Sequence, residues 1–289
     1  MPRFARNPSH SVLAAIAGCL VATVWAMAPA RAKDGPRPGI PLPAAHSHND
    51  YEQKRPLHEA LDHGFASVEA DIHLVEGQLL VAHDRPKVRP ERTLESLYLA
   101  PLHERVVANK GSVHPGLARF TLLIDIKGNP EGTYAVLDPL LRRHREVLTR
   151  FTPDQTFAGP ITVILSGARP TALVAAQPER FCAIDGRPED LAANTSTNLV
   201  PMVSEAWNTA FGPIRGSPLP EATRSALHAY VHRAHAQGRV VRFWGAPDRE
   251  WFWKELQSAK VDYLNTDRIP DLAAFLRVGQ SGRPADNPR

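Results

Sequence analysis

Glu69, Asp71, His83 and Asp84 lie within one stretch, Val68 to Asp84, which reads VEADIHLVEGQLLVAHD. In a β-strand successive side chains alternate faces, so Glu69 and Asp71 project together while Val68, Ala70 and Ile72 face the other way. A turn at Glu76-Gly77 and the apolar run Leu79 to Ala82 then deliver His83 and Asp84. Two carboxylates and a histidine on neighbouring strands are the components of a hard-cation site with an acid/base beside it.

Two other stretches carry groups of the same kind. His46-Ser47-His48-Asn49-Asp50 follows a short apolar segment, and in LLIDIK Asp125 and Lys127 interrupt Leu122, Leu123, Ile124 and Ile126 at a spacing that puts them on one face. A buried carboxylate costs several kcal/mol unless a charge compensates it, and an Asp125-Lys127 pair is one way to meet that cost. Glu69, Asp71 and Asp125 on adjacent strands would form a three-carboxylate cluster that a divalent cation stabilises. Oxygen donors favour a single Mg²⁺ or Ca²⁺, whereas zinc usually takes more nitrogen or sulfur, which the nearby histidines could supply.

The elements that position these groups alternate along the chain. Strands are expected at Leu42–His46, Ser67–Ile72, Thr121–Ile126, Ile161–Leu165, Phe181–Ile184, Leu199–Val203, Val240–Trp244 and Asp262–Leu264. Helical spacing is expected near 56–63, 94–105, 134–148, 170–176, 188–193, 221–237, 249–259 and 269–277. Strands separated by helices pair in parallel, and eight such units in ~250 residues suit a closed (β/α)8 TIM barrel, with an open doubly wound sheet as the alternative. A barrel keeps its chemistry at the C-terminal ends of its strands, where the candidate residues fall.

The whole chain has 289 residues, 43% hydrophobic and 22% charged, which describes a globular protein with material for a core. Its net charge of +4 rests on Arg3, Arg6 and Arg31; without them 31 basic residues stand against 30 acidic ones, so nothing points to a nucleic-acid partner. Residues 1–32 read as an export signal, with Arg3 and Arg6 ahead of an apolar run from Val12 to Ala28 and Ala30-Arg31-Ala32 as cleavage site. A periplasmic or secreted location follows, an uncleaved anchor being the rival. Cleavage removes Cys19 and leaves Cys182 alone, which excludes an intramolecular disulfide in the mature chain. A Pro-rich link at 33–43, a catalytic domain at 44–278 and a disordered tail at 279–289 complete the expected organisation.

These motifs resemble the phospholipase C-like phosphodiesterases, which include glycerophosphodiester phosphodiesterases and sphingomyelinase D. The family's E-x-D, hairpin and H-D match Glu69, Asp71, His83 and Asp84, and its D-x-K strand matches Asp125 and Lys127. HSHNDY, VEADIHL, LLIDIK, ILSGARP, IDGR, VRFWGAPD and VDYLNTD look most like the subgroup named after a fungal protein of altered mitochondrial inheritance, from about His46 to Leu276. The resemblance implies a (β/α)8 barrel, a Mg²⁺ or Ca²⁺ site at Glu69, Asp71 and Asp125, and two catalytic histidines. His83 would be one; the other is His46 or His48, with His46 favoured because Asn49 follows it by three residues as in the sphingomyelinase D opening. The H-R-G opening and P-E-N-T of glycerophosphodiesterases are missing, so the substrate is left between a glycerophosphodiester and a (lyso)phospholipid-like ester. In such a mechanism one histidine takes a proton from the attacking oxygen, the other gives one to the leaving oxygen, and Lys127 opposes the charge gained at phosphorus.

Weaker signals surround this set. His48, Asn49, Arg187, Arg242 and Trp244 are expected to touch substrate, and Arg169 with them, against salt bridges and core packing. Asn265 and Asp267 follow the last strand as ordering groups, Asp267 doubling as a helix cap. His228, His232 and His235 share one face of an outer helix and read as surface. Trp251, Phe252 and Trp253 read as packing and rim residues, with transient membrane contact as the alternative. The chain is expected to act as a monomer. Two rival functions are a polynuclear metallophosphatase of histidinol-phosphatase type, suggested by the H-x-H of His46 and His48, and a non-catalytic barrel binding a phosphate-bearing ligand.

Overall fold

The computed structural model describes residues 40–214 and 216–281. The export signal at 1–32, Cys19, most of the Pro-rich link and the end of the tail lie outside the described residues. Eight strand-then-helix units can be followed from Leu42. The strands are β1 (Leu42–Ser47), β2 (Phe65–Val75), β3 (Gln78–Val81), β4 (Phe120–Ile126), β5 (Arg150–Phe151), β6 (Thr156–Phe157), β7 (Ile161–Gly167), β8 (Ala183–Gly186), β9 (Met202–Ala206), β10 (Val240–Trp244) and β11 (Leu264–Thr266). The helices are α1 (His58–Asp62), α2 (Ala100–Ala108), α3 (Pro130–Arg143), α4 (Thr171–Ala175), α5 (Pro188–Ala192), α6 (Trp207–Phe211), α7 (Glu221–Ala236), α8 (Glu250–Ser258) and α9 (Ile269–Ser281).

Eight of the strands run parallel in the order β1, β2, β4, β7, β8, β9, β10, β11, and β11 pairs back onto β1. The seam between β10 and β11 is the narrowest, held by the parallel bridge Arg242 to Tyr263 and the Tyr263 N–H donating to Val241 C=O at 3.1 Å. This is the nearly closed eight-stranded barrel the alternation predicts. Among the described residues no helix is long and apolar enough to cross a membrane.

Two apolar layers result. Val68, Ala70, Ile72, Leu122, Ile124 and Ile126 belong to the large core between strands and helices, whereas Leu123, Ile164, Ala183 and Met202 pack with Phe151 into a smaller core inside the barrel. The period-2 alternation of each strand therefore separates an outer apolar face from an inner face that is apolar below and ionisable above. The β2–β3 hairpin turns at Glu76 (φ 48°) and Gly77 (φ 78°), two left-handed residues whose twist suits a two-residue loop.

Some boundaries differ from the sequence reading, for local reasons. Helix α3 spans 130–143 rather than 134–148, because Asn129 caps it by accepting from the Gly132 N–H at 3.3 Å and Pro130 takes the first turn, where its missing N–H is harmless. The strand that begins at Leu42 takes the last two residues of the expected link, and α9 continues through residues 279–281 of the expected tail. Helix α6 was not expected. Trp207 seats it in an aromatic cluster with Phe211, Phe243 and Phe252, ring centroids 4.6–5.9 Å away.

Asp50 anchors the loop after β1. Its carboxylate is fully buried and accepts from Ser47 Oγ (2.8 Å), the Leu57 N–H (2.5 Å) and Tyr98 Oη (3.0 Å), which ties β1 to the start of α1 and to the segment leading into α2. Burial pushes its pKa up to about 6 although all three donors pull it down. A carboxyl raised in the folded state holds its proton more tightly than in the unfolded chain, so its contribution is present below about pH 4 and is lost as pH rises through about 6. At 1.36 kcal/mol per unit the loss is roughly 3 kcal/mol. Asp50→Asn, which cannot titrate, should therefore flatten the fall in stability between about pH 4 and 6; urea unfolding midpoints of both proteins across that range test it, and parallel profiles would refute it.

Candidate active site

Register decides which ionisable groups meet. Asp71 on β2 is level with Asp125 on β4, and Asp125 with Ser166 on β7, so these side chains occupy one rung of the inner face. Glu69 lies one rung lower. Among the described residues, one oxygen each from Glu69, Asp71 and Asp125 lie within 4.8 Å of one another. His48, Asn49, Glu69, His83, Asp125, Lys127, Ser166, Gly167, Arg187, Arg242 and Trp244 line a cavity of about 240 Å³ at the C-terminal ends of the strands. A larger groove of about 680 Å³ between α8 and α9 has no comparable convergence of groups. Of the residues assigned to the site from the sequence, His46, Asp71, Asp84 and Arg169 do not line this cavity: His46 and Asp71 are buried and bonded to groups that do, Asp84 pairs with Lys87 at 2.9 Å, and Arg169 bonds the Asp185 carbonyl.

Glu69 is 4% exposed and is compensated by Arg242, whose Nη2 donates to Oε2 at 2.9 Å while its Nε donates to Asn265 Oδ1 at 2.8 Å. Burial opposes the charge on Glu69, but Arg242 and then His46 outweigh it and hold the carboxyl far below the ordinary range. The His46 ring stands 3.4 Å from Glu69 Oε2 through Nε2 and 2.7 Å from Ser67 Oγ through Nδ1. Burial, followed by the nearby Arg242, lowers its pKa to about 4, so it is neutral.

Asp71 is crowded on one oxygen and bare on the other. Oδ2 meets Tyr51 Oη at 2.6 Å, Lys127 Nζ at 2.7 Å and His83 Nδ1 at 3.0 Å, whereas Oδ1 is buried with no partner. Lys127 Nζ also reaches Asp125 Oδ1 at 3.0 Å. Burial, opposed by Lys127 and reinforced by Asp71 and Glu69, raises Asp125 to about 6. Two protein cations thus already answer part of the charge of three carboxylates, which self-repulsion alone did not anticipate. The observation that favours a hard cation is narrower. An unpartnered buried carboxylate oxygen costs free energy, and a divalent ion held by Asp71 with Glu69 and Asp125 would remove that cost with the oxygen donors it prefers.

The opposite wall is cationic. Arg187 Nη1 is held by Asp185 Oδ2 at 2.9 Å, and that same oxygen accepts from Ser166 Oγ at 2.8 Å and Ser204 Oγ at 2.5 Å. Arg169 donates to the Asp185 carbonyl behind it. Trp244, 40% exposed, stands at the mouth. Phe252 and Trp253 are buried and Trp251 half-buried, so this run packs, and Trp244 is the aromatic at the rim. His235, on the three-histidine helix face, pairs with Asp262 at 2.8 Å on the outer surface.

Tyr51, Gly167 and Asp185 also build the site, and sequence reasoning did not assign them roles. Tyr51 lay in the HSHNDY motif, but only the fold brings its hydroxyl to 2.6 Å from both Asp71 and Asn49 and 3.3 Å from His83. Gly167 has φ 67°, and a Cβ there would stand 2.5 Å from Asp125 Oδ1. Its only signal was the ILSGARP motif. Asp185 lies in the IDGR motif, two residues before Arg187.

Comparison with known proteins agrees with the barrel fold and with a phosphodiesterase family. Residues 37–184 match the AIM6-like phosphodiesterase domain, and residues 240–269 match the glycerophosphoryl diester phosphodiesterase family. An altered inheritance of mitochondria protein 6 homolog from Arthroderma benhamiae is 30% identical over 263 residues, covering 80% of this chain and 82% of that one. Altered inheritance of mitochondria protein 6 from Eremothecium gossypii is 30% identical over 271 residues, covering 81% and 69%. A solved glycerophosphodiester phosphodiesterase from Parabacteroides distasonis shares the fold with a TM-score of 0.51 at 13% identity, over 82% of this chain and 98% of that one.

The buried ion pair gives a stability prediction. Arg242→Met leaves Glu69 charged and unpaired in the barrel and should cost about 3–5 kcal/mol in urea unfolding with EDTA present. The double variant Glu69→Gln, Arg242→Met should recover most of that loss. Equal stabilities for the single and double variants would show that the pair is not coupled.

Proposed function

Because the chain belongs to the AIM6-like phosphodiesterase family, we propose that it is an exported, metal-dependent phosphoric diester hydrolase acting as a monomer on a glycerophosphodiester or (lyso)phospholipid-like ester. The observation that carries the metal requirement is the buried, unpartnered Oδ1 of Asp71, a residue whose carboxylate clusters with those of Glu69 and Asp125. Export rests on the Arg3, Arg6 and Val12–Ala28 pattern of the leader.

When bound by Glu69, Asp71 and Asp125, a single Mg²⁺ or Ca²⁺ would offset the negative charge of a phosphodiester and the further charge gained as phosphorus becomes five-coordinate. The protein's own groups supply the rest. Lys127 and Arg187, on the cavity wall and each already oriented by a carboxylate, provide fixed donors for the non-bridging phosphate oxygens. His83 presents Nε2 outward while Asp71 holds Nδ1, which suits proton transfer at one of the two reacting oxygens. A histidine from the end of β1 would serve the other. A cavity of about 240 Å³ accommodates a phosphate with small polar substituents, and a longer chain or ring would leave over Trp244, through which transient contact with a lipid surface would also run.

Hydrolysis of bis(p-nitrophenyl) phosphate should be abolished by EDTA, be restored by Mg²⁺ or Ca²⁺, and fall at least about 10³-fold in Asp71→Asn, which disturbs the cation site and His83 together. Turnover that persists through EDTA treatment and in this variant would sink the proposal.

A further inference from the structure

Two imidazoles at the cavity share one arrangement, and a third does not. His83 has Nδ1 at 3.0 Å from Asp71 Oδ2. His48 has Nδ1 at 2.8 Å from Asp267 Oδ1. A carboxylate only accepts, so in each ring Nδ1 carries a proton, and in the neutral ring Nε2 keeps its lone pair. Asn49 Nδ2 also comes within 3.0 Å of His48 Nδ1, but it can donate to Asp267 Oδ1 at 3.3 Å, and the shorter contact to a charged acceptor governs the ring. His48 Nε2 is 4.0 Å from Glu69 Oε2, beyond hydrogen-bond distance, and the ring lines the cavity.

His46 is built differently. Its Nε2 faces the acceptor-only Glu69 carboxylate, so Nε2 carries the proton, and the Nδ1 lone pair accepts from Ser67 Oγ at 2.7 Å. Both nitrogens are engaged, and the residue is 1% exposed. A group that exchanges protons with substrate needs a ring nitrogen that reaches it.

Asp267 is itself fixed in place. Its N–H donates to Asp248 Oδ2 at 3.0 Å, and its carbonyl accepts from Gln53 Nε2 at 3.0 Å. The carboxylate that orients His48 therefore sits in a loop braced from both sides, as a histidine-orienting carboxylate must be.

We propose that His48, oriented by Asp267, is the second proton-transferring histidine of the site, and that His46 is a positioning residue that anchors Glu69. This rests on the hydrolase reading above and decides which β1 histidine performs the chemistry. The ring assignments are open to a test without turnover. In EDTA-treated wild-type protein, histidine ¹⁵N spectra should place the proton on Nδ1 of His48 and on Nε2 of His46, and Asp267→Asn should alter the His48 pattern alone.

With bis(p-nitrophenyl) phosphate as probe, His48→Ala should lower kcat by about 10²–10⁴-fold, and added imidazole should restore part of it. Asp267→Asn should lower kcat roughly 10–100-fold with KM unchanged, and Asp267→Glu should regain part of the loss. His46→Gln should weaken Mn²⁺ binding in a direct titration and should not respond to imidazole. Wild-type kcat in His48→Ala, imidazole rescue confined to His46→Ala, or the reverse proton pattern in the spectra would overturn the assignment while the hydrolase reading stands. A wild-type protein that turns over no phosphodiester would overturn the reading itself and the assignment with it.

Discussion

An ionised glutamate, 4% exposed, inside a parallel barrel is the constraint around which this site is arranged. Glu69 stays charged chiefly because Arg242, at the far seam of the barrel, reaches across to it at 2.9 Å. That reach needs Asn265 on β11 to hold Nε, so the closing strands of the barrel serve the charge on β2. His46 and Ser67 complete the support from below. Pairing of this kind fixes a carboxylate oxygen in space without mobile water, which is the preorganisation a charged transition state requires.

One rung higher the balance is left open. Lys127 bridges Asp71 and Asp125, and Tyr51 and His83 share the same Asp71 oxygen, so three elements converge on Oδ2 while Oδ1 has nothing. A wholly structural cluster would be expected to close on both oxygens. Asp138, Asp185 and Asp248 each also have one buried oxygen without a partner; Asp71 differs in lying in a three-carboxylate cluster with Glu69 and Asp125. Two imidazoles and a guanidinium, each held by a carboxylate, line the same cavity: His83 on Asp71, His48 on Asp267, and Arg187 on Asp185.

Alternation made much of this visible beforehand. Glu69 and Asp71 had to share a face, as did Asp125 and Lys127, and Val68, Ala70 and Ile72 had to pack outward, because a strand has only two faces. Depth along a face was not visible. His46 and His48 are equivalent by alternation, and only the pairing of His46 with Ser67 shows that it lies below the cavity while His48 reaches it. A shift of β4 by two residues would preserve every alternation and still separate Asp125 from Asp71. Arg242 and Tyr51 were illegible as partners of Glu69 and Asp71 for a simpler reason: closure of the barrel and the course of a loop create those contacts, and neither leaves a local pattern. Helix α6, five residues long, depends on the aromatic cluster around Trp207 rather than on periodicity.

The chemistry of the site depends most directly on whether Glu69, Asp71 and Asp125 together hold one cation. Crystals soaked in Mn²⁺ and measured for anomalous scattering should show a single strong peak among these three carboxylates, bonded to Asp71 Oδ1. A peak elsewhere with none at this position, in crystals of protein that hydrolyses phosphodiesters in a Mn²⁺-dependent manner, would contradict it.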